Sequence, residues 1–179
     1  MRNLVPDEVI LGLLEVHPTH GYDLLDRFRS KAQLGRIWTM STSQLYAVLK
    51  RLDDNGAIKG HEVESQEAPP RIEYSVTEKG SKQLKDWLFE KNPSTSIHRI
   101  RVMFLSRLYI ASELGLPVQV IIENQIRSCK TQYQRLKSAY VEAGPTMERL
   151  TLEFVLGQLG AALKWLELCQ NQTVSTLEI

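Results

Sequence analysis

The stretch Ser41-Thr42-Ser43-Gln44-x-Tyr46, with Lys50 and Arg51 just after it, gathers side chains suited to one kind of chemistry. Hydroxyls, an amide, a phenol and two cations donate hydrogen bonds to phosphate oxygens, and the amide also matches the edge of an adenine. Catalytic chemistry has no comparable cluster. The sequence holds no GxSxG, no Gly-rich phosphate loop, no HExxH and no Cys/His pair at a motif spacing, so no catalytic residue is assigned. His17-x-x-His20 with Asp23 resembles part of a zinc site that His61 or His98 would complete. Pro18 and Thr19 make a turn there and no cysteine lies in reach, so no metal and no other cofactor is expected. Cys129 and Cys169 both fall in helical patterns and read as small core residues, not as a disulfide framework.

The elements that must position the polar stretch follow from periodicity. Ser41-x-x-Gln44 is a capping-box pattern, and Leu45, Val48, Leu49 and Leu52 recur at helical spacing behind it. Ser43, Ala47, Lys50 and Asp54 then lie on the opposite face, flanked by Gln44, Tyr46 and Arg51. Asn55-Gly56 stops the helix, because both residues tolerate the left-handed conformation. Before it, Pro6-Asp7-Glu8 opens a first helix carrying Val9, Ile10, Leu13 and Leu14. Pro18 ends that helix, and Thr19 is expected to cap a second one that buries Leu24, Leu25 and Phe28. Ala57–Val63 and Arg71–Thr77 are strand candidates around the polar turn Glu64–Pro70. Thr77-Glu78-Lys79-Gly80 leads into another helix with Leu84, Trp87 and Leu88. Asn92-Pro93-Ser94-Thr95-Ser96 reads as a linker, dividing the chain into domains 1–92 and 97–179.

The second domain is helical throughout. Ile97–Leu114 reads as one helix. In Val118–Ala143, the residues Ile122, Ile126, Cys129, Tyr133, Leu136, Tyr140 and Ala143 alternate in steps of four and three, a coiled-coil-like seam. The last helix, from Met147, has two apolar faces. Met147, Leu150, Phe154, Ala161, Trp165 and Leu168 form one; Leu152, Leu156, Leu159, Leu163 and Leu166 form the other. A helix apolar on most of its circumference needs cover on most of it, which a domain of this size supplies only with a second subunit. The expected dimer residues are Ile122, Ile126, Tyr133, Leu136, Tyr140, Phe154, Leu159, Leu163, Trp165 and Leu166.

Charge alone does not point to nucleic acid. The net value is +1 and the pI about 7.8. Residues 1–92 carry 13 Lys and Arg against 14 Asp and Glu; residues 93–179 carry 9 against 7. Binding to a polyanion must come from local clusters: Arg27, Arg29, Lys31 and Arg36, then Lys50 and Arg51. No stretch approaches the roughly 20 apolar residues that span a bilayer. The N-terminal MRNLVPDEV meets acids too early for a secretory signal. The expectation is a cytoplasmic protein without a membrane partner.

Helix, helix, helix, strand, turn, strand, helix is the order of a winged helix-turn-helix, so the fold class is mainly α, an α+β winged helix with a C-terminal three-helix dimerisation domain. Its third helix enters a DNA groove. The motifs Gly21-Tyr22-x-Leu24, Ser43-x-Leu45-Tyr46-x-x-Leu49-x-x-Leu52, Gly56, Ile58 and Arg71-x-x-Tyr74-x-x-Thr77-Glu78-x-Gly80 make residues 1–90 resemble the PadR family of bacterial transcriptional regulators. The C-terminal half resembles the longer-tailed, AphA-like branch of that family. The resemblance implies a homodimeric repressor on a pseudo-palindromic stretch of double-stranded DNA, released by a small aromatic effector. It implies DNA-facing roles for Ser41, Ser43, Gln44, Tyr46, Lys50 and Arg71; Thr42 and Arg51 join them from the reading of the helix itself. One departure is the wing, which reads Glu62-Val63-Glu64-Ser65-Gln66-Glu67 where the family tends to be basic. Trp38, Trp87, Trp165, Phe104, Tyr109 and Phe154 are candidate lining for an effector pocket, with Arg99, Arg101 and Arg107 as anion partners or, alternatively, a solvated face. A different reading is a helical interaction module whose winged helix binds a protein.

Overall fold

Pro6 and the acids behind it start α1 (Asp7–Val16), whose Val9, Ile10, Leu13 and Leu14 are all buried. The computed structural model describes residues 4–63 and 71–175, with side chains as far as Asn171. After Pro18 the chain forms β1 (Thr19–His20) and turns at once into α2 (Gly21–Arg29). Thr19 therefore does not cap α2: it lies in the strand, its hydroxyl donates to Asp23 (3.0 Å), and His20 holds the capping position. A two-residue strand leaves no alternation for a sequence pattern to register. α2 buries Leu24, Leu25 and Phe28 as expected.

α3 (Thr42–Asp54) begins with the full reciprocal cap. The Ser41 hydroxyl accepts from the Gln44 amide N–H (3.2 Å), and the Gln44 side chain accepts from the Ser41 N–H (2.9 Å). Leu45, Val48, Leu49 and Leu52 are buried. At the far end Asn55 stays right-handed and Gly56 alone takes the left-handed turn, at φ +67°. β2 (Ile58–Val63) and β3 (Arg71–Val76) pair antiparallel from Ile58↔Val76 to Val63↔Arg71. β1 joins the other edge of β3, giving the order β1-β3-β2. The expected turn Glu64–Pro70 lies outside the described residues.

The motif Thr77-Glu78-Lys79-Gly80 locks this arrangement. The Thr77 hydroxyl donates to the Gly56 carbonyl (2.8 Å) and accepts from the Gly80 N–H (3.2 Å), capping α4 (Glu78–Leu88). Lys79 donates to the Asn55 carbonyl at the end of α3 (2.5 Å). A Cβ on Gly80 would stand 2.1 Å from the Ala57 carbonyl oxygen, so only glycine allows α4 this close to the α3–β2 turn.

The chain folds as two compact units. One is the chain through Leu88 together with Leu105–Leu116; the other is Phe89–Phe104 together with the chain from Pro117. The expected helix Ile97–Leu114 is helical backbone to Glu113, but a π segment interrupts it: α5 (Ile97–Arg99), the wider turn Ile100–Phe104, then α6 (Leu105–Glu113). In the first unit α6 packs on α1, where Gly12 faces Ile110 so closely that a Cβ would fall 2.3 Å from the Ile110 Cγ2. Trp38 donates to the Ser106 hydroxyl (2.8 Å). Arg107, one reading of which was a solvated face, is 5% exposed with its guanidinium 5.2 Å from the centre of the Trp87 ring.

In the second unit α7 (Val118–Glu142) packs along α8 (Met147–Ser175). Ile122, Ile126 and Cys129 of the seam are buried; Tyr133, Leu136 and Tyr140 are half-buried, with Tyr133 against Gly160 and Arg149 stacked 4.5 Å over Tyr140. Tyr133 and Tyr140 of the seam thus meet the chain's own α8. On α8, Leu159 and Leu166 are buried and Leu152, Leu156 and Leu163 half-buried. The other face is open: Met147 is 74% exposed, Leu150 61%, Phe154 66% and Leu168 59%. Asn124 and Gln125, both buried, donate to the carbonyls of Glu90 (3.2 Å) and Ser94 (3.0 Å), fastening residues 89–96 to α7.

Candidate nucleic-acid interface

The buried stripe of α3 fixes which of its residues face water. Ser41, Thr42, Ser43, Gln44, Tyr46, Ala47 and Lys50 are all exposed. Ser41 and Ser43 also bond each other through their hydroxyls (3.1 Å), so the polar end of the helix is internally organised. The first-turn N–H groups and the positive helix end add to its suitability for an anion.

Tyr46 is 40% exposed and leans toward the start of α2; a Cβ on Gly21 would lie 2.9 Å from its hydroxyl, so glycine leaves room for the phenol. Beside it lies an open cavity of about 550 Å³ lined by His20, Gly21, Tyr22, Asp23, Tyr46, Arg71, Ile72 and Tyr74. Arg71, at the start of β3, thus shares one concave surface with Tyr46 although 25 positions separate them in sequence. Antiparallel pairing of β1 with β3 brings this about, with Thr19 opposite Tyr74 and His20 opposite Glu73. His20 Nδ1 bonds the Ile72 carbonyl (3.1 Å), holding the edge of the cavity. Burial raises the Tyr74 phenol, and the neighbouring Tyr46 and Asp53 raise it further, so it stays a protonated donor at neutral pH.

Two of the expected cations are engaged elsewhere. Arg51 forms a two-pronged ion pair with Asp7 of α1, which raises its pKa still further, and so ties α3 to α1. Arg27 donates to the Tyr109 hydroxyl (3.2 Å) and to Glu113 (3.1 Å) on α6. Lys50 and Arg71 have no ion pair among the described residues, and both are exposed. The acids Asp53 and Asp54 stand exposed at the end of the same helix, and Glu62 near the wing. The other expected cations, Arg29, Lys31 and Arg36, are exposed as well, Arg29 at 3.8 Å from Asp26, so positive charge is spread thinly and Lys50 and Arg71 are the cations at the polar helix face and the cavity.

Sequence reasoning did not find the cavity, since it depends on β1. Gly21-Tyr22 entered the sequence reading as part of a family motif and His20 as a candidate metal ligand, and neither reading points to a cavity. The candidate effector aromatics fall into separate groups. Trp38, Trp87 and Tyr109 belong to the first unit; Phe104 and Trp165 meet edge-to-face at 5.8 Å in the second; Phe154 is open to solvent. His17, His20 and Asp23 are not part of any metal-holding group, and no such group occurs among the described residues. Among the described residues no helix is long and apolar enough to cross a membrane.

Comparison with known proteins adds the following. Residues 10–86 match the Transcriptional regulator PadR-like family. Over 132 residues the chain is 28% identical to the Negative transcriptional regulator PadR of Bacillus subtilis (strain 168), covering 73% of this chain and 70% of that protein. The chain is also similar to the crystal structure of Bacillus subtilis PadR in complex with operator DNA, at TM-score 0.48 and 24% identity, covering 94% of this chain and 99% of that one. The same relative in complex with p-coumaric acid gives TM-score 0.43 and 24% identity, with 96% of each chain covered.

Proposed function

We propose that this chain, which belongs through residues 10–86 to the PadR-like transcriptional regulators, is a homodimeric repressor of a pseudo-palindromic DNA site, working in the cytoplasm and catalysing no reaction. α3 lies in the major groove. Ser43, Gln44 and Lys50 on its exposed face meet base edges and phosphates; Ser41 and Thr42 meet the backbone at its N-terminus. Tyr46 and Arg71 bracket a backbone phosphate over the cavity that they share. Arg51 acts indirectly, by holding α3 to α1.

The observation that carries this reading is the division of α3. Every apolar residue of its stripe is buried, its polar face is wholly exposed, and its N-cap is reciprocally satisfied. Such a helix is rigidly presented, which lowers the ordering cost of binding. The open face of α8 supports the two-fold mate, because apolar rows of this size are normally covered. Release by a small aromatic effector is part of the same proposal, taken from the family resemblance.

Binding to the chain's own upstream DNA, measured by fluorescence anisotropy from 50 to 300 mM salt, tests it. Affinity falls with a log–log slope of roughly −0.9 for each phosphate neutralised. Arg71→Ala flattens that slope by about one, whereas Ser43→Ala weakens binding to the preferred sequence without changing it. A flat salt response in the unaltered protein refutes the DNA reading and favours a protein partner.

A further inference from the structure

We infer that DNA binding by this chain is coupled to uptake of a proton by His20, so that affinity rises as pH falls. This rests on the DNA reading above and adds a regulatory input to the same site. The cavity that Tyr46 and Arg71 share is lined by one cation, Arg71, and one carboxylate, Asp23, whose Oδ2 accepts from the Thr19 hydroxyl (3.0 Å). A second carboxylate, Glu73, stands directly across the ladder from His20. Residues opposite each other in a sheet share a face, with Cβ atoms about 4.5–5.5 Å apart. One cation against two carboxylates leaves an excess of negative charge where a backbone phosphate must dock, and that excess opposes it. A proton on His20 cancels it.

The geometry makes His20 the group that changes. A carbonyl oxygen only accepts, so the bond between His20 Nδ1 and the Ile72 carbonyl (3.1 Å) places a proton on Nδ1 and leaves Nε2 as the basic nitrogen. The imidazolium keeps that bond, so charging requires no rearrangement. His20 is half-buried and lines the cavity, where its charge acts on a docked phosphate with less screening than at an open surface. The other ionisable groups around it are Tyr22 and Asp23 on α2, Tyr46 on α3 with Asp53 near Tyr74, and Arg71, Glu73 and Tyr74 on β3. Histidine is the side chain whose ordinary titration lies between pH 5 and 8. Of the neighbouring histidines, His61 on β2 lies opposite Glu73 on its other side, beside Lys59, and does not line the cavity; His17 lines a separate, smaller hollow. A phosphate in the cavity favours the charged imidazole, and by linkage the charged imidazole favours the phosphate equally. The bound state therefore holds more protons than the free chain, so affinity is greatest at the acid end and falls as pH rises through the histidine range.

Fluorescence anisotropy on the chain's own upstream DNA, at constant ionic strength from pH 5.5 to 8.0 with EDTA present, tests this. Each histidine that gains a proton adds a slope of at most about one decade of affinity per pH unit, so a two-fold assembly is limited to about two. A loss of roughly tenfold or more between pH 6 and pH 8 is expected. His20→Gln, which can still donate to the Ile72 carbonyl but takes up no proton, flattens the profile. His20→Lys flattens it too and binds at pH 8 about fivefold or more tightly than the unaltered chain, because its charge persists across this range. His61→Gln keeps the full slope. Calorimetry of the unaltered chain at pH 7, in two buffers of different ionisation enthalpy, reads the proton uptake without any substitution. A flat profile, no proton uptake, a slope that survives His20→Gln or one that is lost with His61→Gln overturns the proposal. A flat profile with a steep salt dependence leaves the DNA reading standing, whereas absence of binding at every pH overturns both.

Discussion

Replacing Phe154 by Ser tests the dimer at its most exposed apolar position. Phe154 leaves 66% of its surface open, on the order of 130 Å² if an aromatic residue carries roughly 200 Å². Covering all of it at about 25 cal/mol per Å² gives an upper bound near 3 kcal/mol per chain. A two-fold interface uses the residue twice, so the bound becomes about 6 kcal/mol for the pair. Coverage is incomplete and side-chain ordering opposes it, so about half, roughly 3 kcal/mol, is the working figure. That corresponds to a rise in the dimer dissociation constant of about 100-fold. Sedimentation velocity over a dilution series reads it directly, and circular dichroism checks that the helices remain. Adding Leu150→Ser, 61% exposed one turn earlier on the same face, should push the equilibrium further. A dissociation constant changed less than threefold, with helicity intact, refutes the placement of this face at the two-fold axis. The same substitution at Tyr133, which packs inside the helix pair, should instead destabilise the unit.

Other consequences follow from particular contacts. Gly80→Ala places a methyl 2.1 Å from the Ala57 carbonyl oxygen, and should cost about 3 kcal/mol or more in urea unfolding, with backbone movement at the α3–β2 turn; a loss under 1 kcal/mol contradicts that packing. Ser41→Ala removes the half of the capping box in which the Ser41 hydroxyl accepts from the Gln44 backbone N–H, leaving the Gln44 side chain on the backbone N–H of residue 41, and should cost about 1 kcal/mol while weakening DNA binding, whereas Ser41→Asp should restore the stability; equal stability of all three chains counts against the cap. Burial pushes the Cys129 thiol upward, so its reactive thiolate forms only above the ordinary thiol range. Its alkylation by iodoacetamide at pH 8 should track unfolding of the second unit, and rapid modification of the folded chain would show the site to be open.

How much of this was legible from residues alone differs by element. α3 was, because a reciprocal cap, a four-residue apolar stripe and a Gly56 stop are all local signals that need no partner to interpret. The two α8 faces were legible too, since helical period assigns Leu159 and Leu166 to one side and Phe154 and Leu168 to the other. Which face meets the chain's own α7 was not legible, because two apolar stripes carry the same pattern. The seam of α7 shows the same ambiguity: its heptad spacing calls for a partner helix without saying from which chain.

What the sequence determined by itself, then, is where helices begin and end and which stripe of each avoids water, because these depend on neighbours within one or two turns. The fates of its charged residues it did not determine. Arg51 and Lys50 are adjacent, yet one is held by Asp7 and the other stands in solvent; Arg107 is buried on Trp87 while Arg101 faces a cavity. Strand β1 and the surface that unites Tyr46 with Arg71 likewise exist only once distant segments pair. Burial, ion pairing and concavity are properties of residues far apart in the chain, and only the closed fold brings those residues together.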